Sequence, residues 1–171
     1  MLYATLADVI SVESDPEFLS HLSQNSLIAH ALNSPNPHLP PAQLNPRLRF
    51  CYIDVGAVGA WGVPLNDSKK ANFPNYSQFV FGVLPRDEIK MIDTIFIDGR
   101  FRVACALSTL LYCPNSTIMI HDFFNRLQYR IVLEFLDTIE ACETLGVFKP
   151  KKRLNKANLQ TLLEQYAYIV D

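Results

Sequence analysis

The sequence predicts an α/β protein in which a mostly parallel sheet carries helices on both faces. Three short apolar runs, rich in β-branched and aromatic residues, end on acidic residues; they occupy residues 9–13, 92–98 and 116–122. Helical patterns lie between these runs, and strands that alternate with helices are typical of a parallel sheet. The carboxyl ends of parallel strands meet at one edge of the sheet, where ligands bind. The pattern therefore predicts a ligand site that is built from carboxylates.

The composition is that of a globular domain with a balanced charge. Of the 171 residues, 49% are hydrophobic, and 15 Lys and Arg stand against 17 Asp and Glu. This length supports a substantial core, so we expect one domain over residues 1–171, and the near-neutral charge argues against a nucleic-acid partner. No run approaches the ~20 apolar residues of a membrane span, so no membrane partner is expected. Four cysteines without CxxC spacing favour reduced thiols and a cytoplasmic location.

The first part of the chain is predicted to contain two strands. Residues 9–13 form the first strand, and Asp15 followed by a proline begins a helix, because a capping side chain and a first-turn proline favour helix starts. This helix is expected to bury three apolar residues: Phe18, Leu19 and Leu22. The proline- and asparagine-rich residues 33–46 are predicted as an exposed loop. Residues 48–53 form the second strand, which again ends at an acid, Asp54.

Residues 56–86 differ from the rest of the chain and are predicted as a long loop insertion. They contain four of the six glycines, the single tryptophan, Trp61, and four further aromatic residues: Phe73, Tyr76, Phe79 and Phe81. Loops of this length in a compact domain are usually lids or binding loops. The alternative is a surface excursion that its aromatic residues hold in place, and both interpretations stay open.

The second half of the chain alternates helices and strands. Residues 100–112 are apolar almost all round and predict a buried helix, and residues 117–120 predict a strand. From residue 125 to 139, apolar residues recur at helical spacing and predict an amphipathic helix: Leu127, Ile131, Phe135 and Ile139. The remaining predicted elements are a strand at 145–148, a helix at 154–166 and a short last strand at 168–170.

Several of these segments resemble class I S-adenosylmethionine-dependent methyltransferases, which have a Rossmann-like fold. Residues 9–19 look like the second strand and following helix of that family. The resemblance implies that Glu13 binds the ribose hydroxyls of the cofactor and that Asp54, at the third-strand position, lies by the adenine. Residues 96–99 resemble the fourth strand, beside the transferred methyl group, and residues 121–122 match the end of the fifth. The resemblance thus implies S-adenosylmethionine as the cofactor.

Two acids near the first strand compete for the ribose-binding role. A carboxylate that accepts two hydroxyl hydrogen bonds must sit at the carboxyl end of the strand, and Glu13 fits that position better than Asp15. Asp15 is better explained as a helix cap. We therefore predict Glu13 and Asp54 as the cofactor-binding residues, with a solvated loop acid as the alternative for Glu13.

One part of the family pattern is missing from the sequence. The family begins with a strand and a glycine-rich turn, GxGxG, whose backbone amides and helix N-terminus hold the amino-acid end of the cofactor. Here residues 1–7 resemble the last turns of the helix that would follow. We therefore expect an N-terminally truncated domain in which S-adenosylmethionine binding is weak or absent. Three explanations stay open: the flanking strands close up, a second chain covers the gap in a homo-oligomer, or the gene product is longer.

The residues at the later strand ends suggest the chemistry. Asp98 and Asp122 end strands that we expect to be neighbours, so their carboxylates are candidates for a divalent-cation site or a general base. In metal-dependent O-methyltransferases of this superfamily, Asn follows the fifth-strand acid; Phe123 follows here, so no metal is predicted. His121 is a candidate base because imidazole titrates near neutral pH. We predict Asp98, His121 and Asp122 as catalytic residues; the alternative for His121 is a hydrogen-bonded structural group.

The substrate contacts are predicted from basic and aromatic residues. Arg100, Arg102 and Arg126 are candidates for binding a carboxylate or phosphate on the substrate, or they pair with the two aspartates. Of the three, Arg100 and Arg126 are predicted as substrate contacts. Trp61 is the candidate contact from the long loop, acting as a lid. The resulting hypothesis is transfer of a methyl group from S-adenosylmethionine to a small-molecule acceptor. The alternative is a non-catalytic, truncated remnant of the methyltransferase fold that acts as a binding or oligomerisation module.

Overall fold

The computed structural model describes residues 8–33 and 47–171. The chain divides into two compact units, Met1–Asp54 and Val55–Asp171, and each unit contains its own sheet. The predictions made for residues 1–7 and for positions 34–46 of the loop expected at 33–46 fall outside the described residues, and Asn33 is the last residue of a helix.

The first unit contains a parallel two-stranded sheet. β1 (Val9–Glu13) pairs in parallel with β2 (Leu48–Tyr52), and α1 (Pro16–Ser23) and α2 (Ser26–Asn33) lie between them in the chain. Among the described residues of this unit, one core cluster joins two buried residues to three partly buried residues: Ile28 and Leu48, then Val9, Leu22 and Phe50. Both predicted strands are confirmed, although the second ends one residue earlier than expected.

The start of α1 follows the predicted capping pattern. The Asp15 side chain accepts hydrogen bonds from the backbone N–H groups of Glu17 (2.9 Å) and Phe18 (3.1 Å). The expectation that this helix buries Phe18 is wrong, because that side chain is 44% exposed and no α1 residue is fully buried. The core of the unit is built from α2 and the two strands instead, and Leu22 is the α1 residue that packs partly against it.

The second unit contains a four-stranded sheet with the strand order β3-β4-β6-β5. The strands are β3 (Thr94–Ile97), β4 (Thr117–Ile120), β5 (Leu136–Cys142) and β6 (Leu145–Pro150). β3 and β4 are parallel, and β6 is antiparallel to both β4 and β5, so β6 alone runs against the other strands of this sheet. The structure therefore confirms an α/β fold with mostly parallel strands.

α5 is the most buried helix of the second unit. The helices of this unit are α3 (Phe73–Val83), α4 (Arg86–Met91), α5 (Arg102–Tyr112) and α6 (Lys156–Tyr166). α5 contacts β3, β4, α3 and α6, and its fully buried residues include Ala104, Ala106 and Leu107. The helices predicted at 100–112 and 154–166 are thus confirmed. Among the described residues, none of the helices combines the length and apolar character needed to span a bilayer.

The prediction of one long loop at 56–86 is wrong for its second half, where α3 forms. Pro74 lies in the first turn of α3, which is a favoured position for proline. Phe73 and Tyr76 are buried, and their ring centroids lie 5.2 and 5.4 Å from that of Phe101. This packing of aromatic rings against the chain after β3 stabilises the helix.

The prediction of one amphipathic helix at 125–139 is also wrong. A 3₁₀ segment (Leu127–Glu134) is followed by β5, which forms a hairpin with β6. Ile139 is 57% exposed, so the last apolar position of the predicted stripe lies outside the core. The β-branched Thr138 and Ile139 suit a strand, and the ladder with β6 satisfies the backbone groups that a helix would have satisfied locally.

The end of the chain differs from the prediction in one element. β6 confirms the strand predicted at 145–148 and extends to Pro150. The strand predicted at 168–170 is wrong, because these residues adopt no strand structure and Ile169 N donates to Tyr166 O (3.0 Å) in a turn after α6.

Candidate functional site

The three residues predicted as catalytic lie together at the carboxyl ends of β3 and β4. Ile97 is opposite Ile120 in the parallel ladder, so the residues that follow each strand, Asp98 and His121, are adjacent. The His121 Nδ1 atom lies 2.9 Å from Asp98 Oδ1 and 3.6 Å from Asp122 Oδ1. The structure therefore brings the three side chains together, as the directional rule for parallel strands predicts; their catalytic role stays a prediction.

The contact between His121 and Asp98 has a chemical consequence. An ionised carboxylate offers only acceptor atoms, so Asp98 at this distance favours the form of His121 that carries a proton on Nδ1. In the neutral ring the Nε2 atom then keeps its lone pair. The His121 side chain is 44% exposed, so this lone pair is available to a proton donor that approaches from solvent. The arrangement can act as a general base.

Arg102 connects the two strand ends. Its side chain is only 3% exposed, and its Nε atom donates to the Gly99 carbonyl at 2.9 Å. Its Nη2 atom donates to the Asp98 carbonyl (3.1 Å), and its Nη1 atom donates to the His121 carbonyl (2.5 Å) and to Asp122 Oδ2 (3.3 Å). The buried charge is therefore compensated by carboxylates and by backbone oxygens from both turns.

Asp122 is held as a carboxylate in an unusual backbone conformation. Burial acts to raise its pKa, but the charges of His121, Arg102 and Arg126 outweigh that effect and leave the pKa of Asp122 below its ordinary value. Its φ of 56° lies in the left-handed region, which aspartate tolerates better than most residues. A carboxylate with a lowered pKa is a weak base, so Asp122 is a poor proton acceptor.

Asp171 completes the N-terminus of α5, and sequence reasoning missed it. The residue before α5, Phe101, has a φ of 54° and offers no capping side chain. The Asp171 carboxylate accepts hydrogen bonds from the N–H groups of Arg102 (2.9 Å) and Val103 (3.4 Å) instead, and Arg100 Nη1 donates to the Asp171 carbonyl (2.6 Å). Burial raises the pKa of Asp171, and its hydrogen bonds and the two arginines oppose that rise. The missing cap at Phe101 is the signal that could have revealed a distant acceptor.

The ring of Tyr129 contacts two arginines. The guanidinium carbons of Arg102 and Arg126 lie 5.7 and 6.0 Å from the centroid of its ring, within the range of a cation–π contact. Tyr129 is 1% exposed, and its hydroxyl has no hydrogen-bond partner among the described residues. Burial is the largest of the effects that raise the pKa of this phenol. The ring face therefore supports the two guanidinium groups.

The residues predicted to contact substrate have different surroundings. Arg126 is 36% exposed, and its Nη2 atom lies 3.6 Å from Asp122 Oδ2. Arg100 is engaged with Asp171. Trp61 lies in a 3₁₀ turn (Ala60–Gly62) with a φ of 61°, and its side chain is 89% exposed. An antiparallel bridge between Val58 and Pro64 closes this turn and presents the indole ring to solvent.

The two residues predicted to bind the cofactor lie at one edge of the sheet in the first unit. Glu13 ends β1, and its carbonyl accepts a hydrogen bond from Ile53 N (2.8 Å), which places the following residue, Asp54, at the same end of the parallel pair. The Glu13 carboxylate accepts from Ser11 Oγ (3.0 Å). Burial raises the pKa of Glu13, the Ser11 hydrogen bond opposes that rise, and the charge of Asp15 adds to it.

The described His, Cys, Asp and Glu side chains do not form a cluster of cation ligands. Within residues 8–33 and 47–171, no group of three or more His, Cys, Asp and Glu side chains is arranged to hold a metal ion. The two carboxylates that were considered as cation ligands, Asp98 and Asp122, both lie within 3.6 Å of the Arg102 guanidinium.

Comparison with known proteins supports the fold. No protein-family model matches the sequence, and no curated protein matches it significantly. A solved structure of a methyltransferase-like protein from Silicibacter pomeroyi matches with a TM-score of 0.70 and 26% sequence identity, over 94% of this chain and 76% of that chain. The chain has a methyltransferase-like fold. The resemblance inferred from residues 9–19 and 96–99 is thus confirmed at the level of the fold.

Proposed function

We propose that this protein is an S-adenosylmethionine-dependent methyltransferase that acts on a small-molecule acceptor. The observation that carries the proposal is the methyltransferase-like fold shared with the Silicibacter pomeroyi protein over 94% of the chain. The paired His121 and Asp98 at two adjacent strand ends support it, because a general base is the group that such a transfer needs from the protein.

In this proposal Glu13 and Asp54 hold the nucleoside part of the cofactor. Their position at the carboxyl ends of two parallel strands fits this role, and ionised carboxylates supply only acceptors, which suits the hydroxyls of a ribose. The Glu13 carboxylate is partly buried with one hydroxyl partner, Ser11, so it has acceptor capacity left for a ligand. When bound, S-adenosylmethionine supplies a methyl group on an electrophilic sulfonium.

The proposed role of the second unit is proton removal and acceptor binding. His121 takes a proton from the hydroxyl or amine of the acceptor at Nε2, while Asp98 keeps the Nδ1 proton in place and stabilises the imidazolium that forms. Arg126, which is partly exposed, binds an anionic group of the acceptor, and Arg100 adds positive charge nearby. The exposed Trp61 covers the acceptor and excludes water.

The second candidate is a non-catalytic binding module with the same fold. It is favoured by the pairing of Arg102 with both Asp98 and Asp122, since this is the arrangement that a purely structural ion cluster would also have. In either case we propose a homo-oligomer, because β3 lies at the edge of its sheet and its Phe96 is 57% exposed. The four cysteines are free thiols, which suits the cytoplasm.

Calorimetric titration with S-adenosylmethionine and S-adenosylhomocysteine separates the two functions. We expect binding with a Kd near the micromolar range, which Glu13→Gln weakens by about tenfold, equivalent to ~1.4 kcal/mol. Glu17→Gln is the matched control, because Glu17 is an exposed acid on the adjacent helix. The affinity of this variant for S-adenosylmethionine should equal that of the wild type. The absence of heat up to about millimolar ligand would favour the binding module over the enzyme.

A thermal melt tests whether Glu13→Gln acts on ligand binding or on folding. Because burial raises the pKa of Glu13 in the folded state, its stabilising contribution is fully present below its unfolded pKa and is lost as the pH rises through the folded pKa. At pH 7 the neutral glutamine removes a partly buried charge, so the variant should unfold at a temperature no lower than the wild type. Weaker binding by a variant of equal or higher stability then reports on the ligand contact.

A further inference from the structure

The N-terminus of α5 holds a carboxylate that the helix does not supply from its own first turn. Phe101, the residue before the helix, makes no side-chain cap. The N–H groups of Arg102 and Val103 donate to the Asp171 carboxylate instead, at 2.9 and 3.4 Å. Arg100 Nη1 donates to the Asp171 carbonyl at 2.6 Å. Unpaired N–H groups and the positive end of the helix dipole make such a terminus suited to an anion.

Two further donors near this carboxylate are unused. The Nε atom of Arg100 and the hydroxyl of Tyr129 are buried and have no hydrogen-bond partner among the described residues. Tyr129 is 1% exposed. Burial raises the pKa of its phenol most, and the next contribution comes from the charge of Asp171, so the hydroxyl lies within electrostatic reach of that carboxylate. A buried donor without a partner is costly, so these two atoms point to acceptors that one carboxylate does not provide.

We propose that the N-terminus of α5 is a binding site for a phosphate group and that the Asp171 carboxylate occupies it as an internal competitor. A phosphate group presents three strong acceptor oxygens, whereas a carboxylate presents two. It can therefore accept from the first N–H groups of the helix and from Arg100 Nε or the Tyr129 hydroxyl at the same time. Helix N-termini and guanidinium groups are the donors that bind phosphate in proteins. The inference goes beyond the proposed methyl transfer and does not depend on it.

The segment that carries Asp171 is lightly packed. The last buried residue of the chain is Ala167, and Tyr168 and Ile169 are each 46% exposed. Burial raises the pKa of Asp171, whereas its hydrogen bonds and two arginines act to lower it. The donors of the site thus favour a negative charge, and the burial of this particular carboxylate opposes it. An anion with more acceptor oxygens can therefore replace Asp171.

The test is calorimetric titration of the whole chain with inorganic phosphate at about pH 8, where a phosphate group carries close to two negative charges. In Asp171→Ala the site is open, so phosphate should bind about fivefold more tightly than in the wild type, the factor equivalent to a competing helix cap of ~1 kcal/mol. Asp93→Ala removes an exposed acid of the same unit and should bind as the wild type does. An affinity of Asp171→Ala within about twofold of the wild type would overturn the proposal.

Tyr129→Phe separates ligand binding from helix capping. The hydroxyl has no hydrogen-bond partner among the described residues, so its removal should not lower the temperature of thermal unfolding. Phosphate should nevertheless bind several-fold more weakly to the double variant Asp171→Ala/Tyr129→Phe than to Asp171→Ala. Equal affinities would show that the terminus is only a helix cap and would overturn the proposal.

Two further ligands define the group that is bound. Acetate should bind Asp171→Ala more weakly than phosphate does, and equal affinities would contradict the assignment to phosphate. Ethyl phosphate separates the two sources of the group: an affinity at or above that of inorganic phosphate assigns a phosphate ester, and a lower one assigns the free ion.

The wild type decides the outcome if Asp171→Ala does not fold. Its Arg102 and Val103 amide resonances are then followed by ¹⁵N–¹H correlation NMR during titration with inorganic phosphate. A saturable shift of both resonances supports the proposal, and no shift up to about 100 mM phosphate overturns it. These titrations contain no S-adenosylmethionine, so a failure to bind the cofactor leaves their result intact.

Discussion

Individual residues at the strand ends show how charge and backbone strain coincide in this protein. Phe101 and Asp122 have φ values of 54° and 56°. Phe101 directly precedes Arg102 in the chain, and Asp122 accepts a hydrogen bond from its side chain. Non-glycine residues in this region cost free energy and persist only where surrounding contacts hold them. The hydrogen bonds of Arg102 to the carbonyls of both turns are contacts of that kind.

The lowered pKa of Asp122 predicts a defined acid sensitivity. A carboxyl with a folded pKa below its unfolded value contributes stability above the unfolded pKa and loses it as the pH falls through the folded pKa. The free energy of unfolding should therefore decrease below about pH 4, the ordinary range of an aspartate. In Asp122→Asn the decrease should be smaller, since asparagine cannot be protonated there.

Urea unfolding between about pH 2 and 7 measures this dependence. Asparagine also tolerates a left-handed φ, so the variant keeps the backbone conformation, whereas Asp122→Ala adds a strain of about 1 kcal/mol. Equal slopes against pH in wild type and Asp122→Asn would contradict the assigned charge of Asp122.

At the scale of elements, α5 depends on an acceptor from the far end of the chain. Asp171→Ala removes the partner of the Arg102 and Val103 N–H groups and should lower the free energy of unfolding by about 1 kcal/mol, the usual value of a helix cap. Asp171→Asn keeps an acceptor oxygen and should cost less. Chemical denaturation measures both, with Asp93→Ala as an exposed control in the same unit. An Asp171→Ala variant as stable as Asp93→Ala would show that the Asp171 cap does not contribute to the free energy of unfolding.

The contact between α3 and the turn after β3 predicts a steric coupling. A Cβ atom at Gly99 would overlap the Tyr76 hydroxyl, so Gly99→Ala should destabilise the protein by about 2 kcal/mol. Tyr76→Phe removes the overlapping oxygen, and the double variant should recover part of the loss. A double-mutant cycle by thermal unfolding gives the coupling free energy. Additive effects of the two substitutions would refute the overlap.

At the scale of the whole molecule, the sheet of the second unit has an edge strand, β3, that can pair with another chain. β3 is the first strand in the order β3-β4-β6-β5, and strand edges are sites of pairing with other chains. We expect light scattering to give twice the mass of the chain at micromolar concentration, and Phe96→Lys, which places a charge on β3, to shift the mass to that of one chain. A single-chain mass for the wild type would contradict the proposed oligomer.

The sequence by itself determined the elements that local signals specify. The apolar runs of β1, β3 and β4, the cap at Asp15 and the all-round apolar pattern of α5 depend on neighbours in the chain, and each was predicted within a few residues. It also determined the grouping of Asp98, His121 and Asp122, because parallel strands place their carboxyl ends at one edge whatever the distance between them in the chain.

Only the tertiary structure decided the features that depend on distant partners. Residues 136–142 carry an apolar spacing that suits a helix, but pairing with β6 made them a strand. Asp171 caps a helix that begins 69 residues earlier, and Arg102 is buried because carbonyls from two separate turns accept its donors. Local patterns carry no information about such contacts, because the free energy that selects them is gained only when the folded chain brings the partners together.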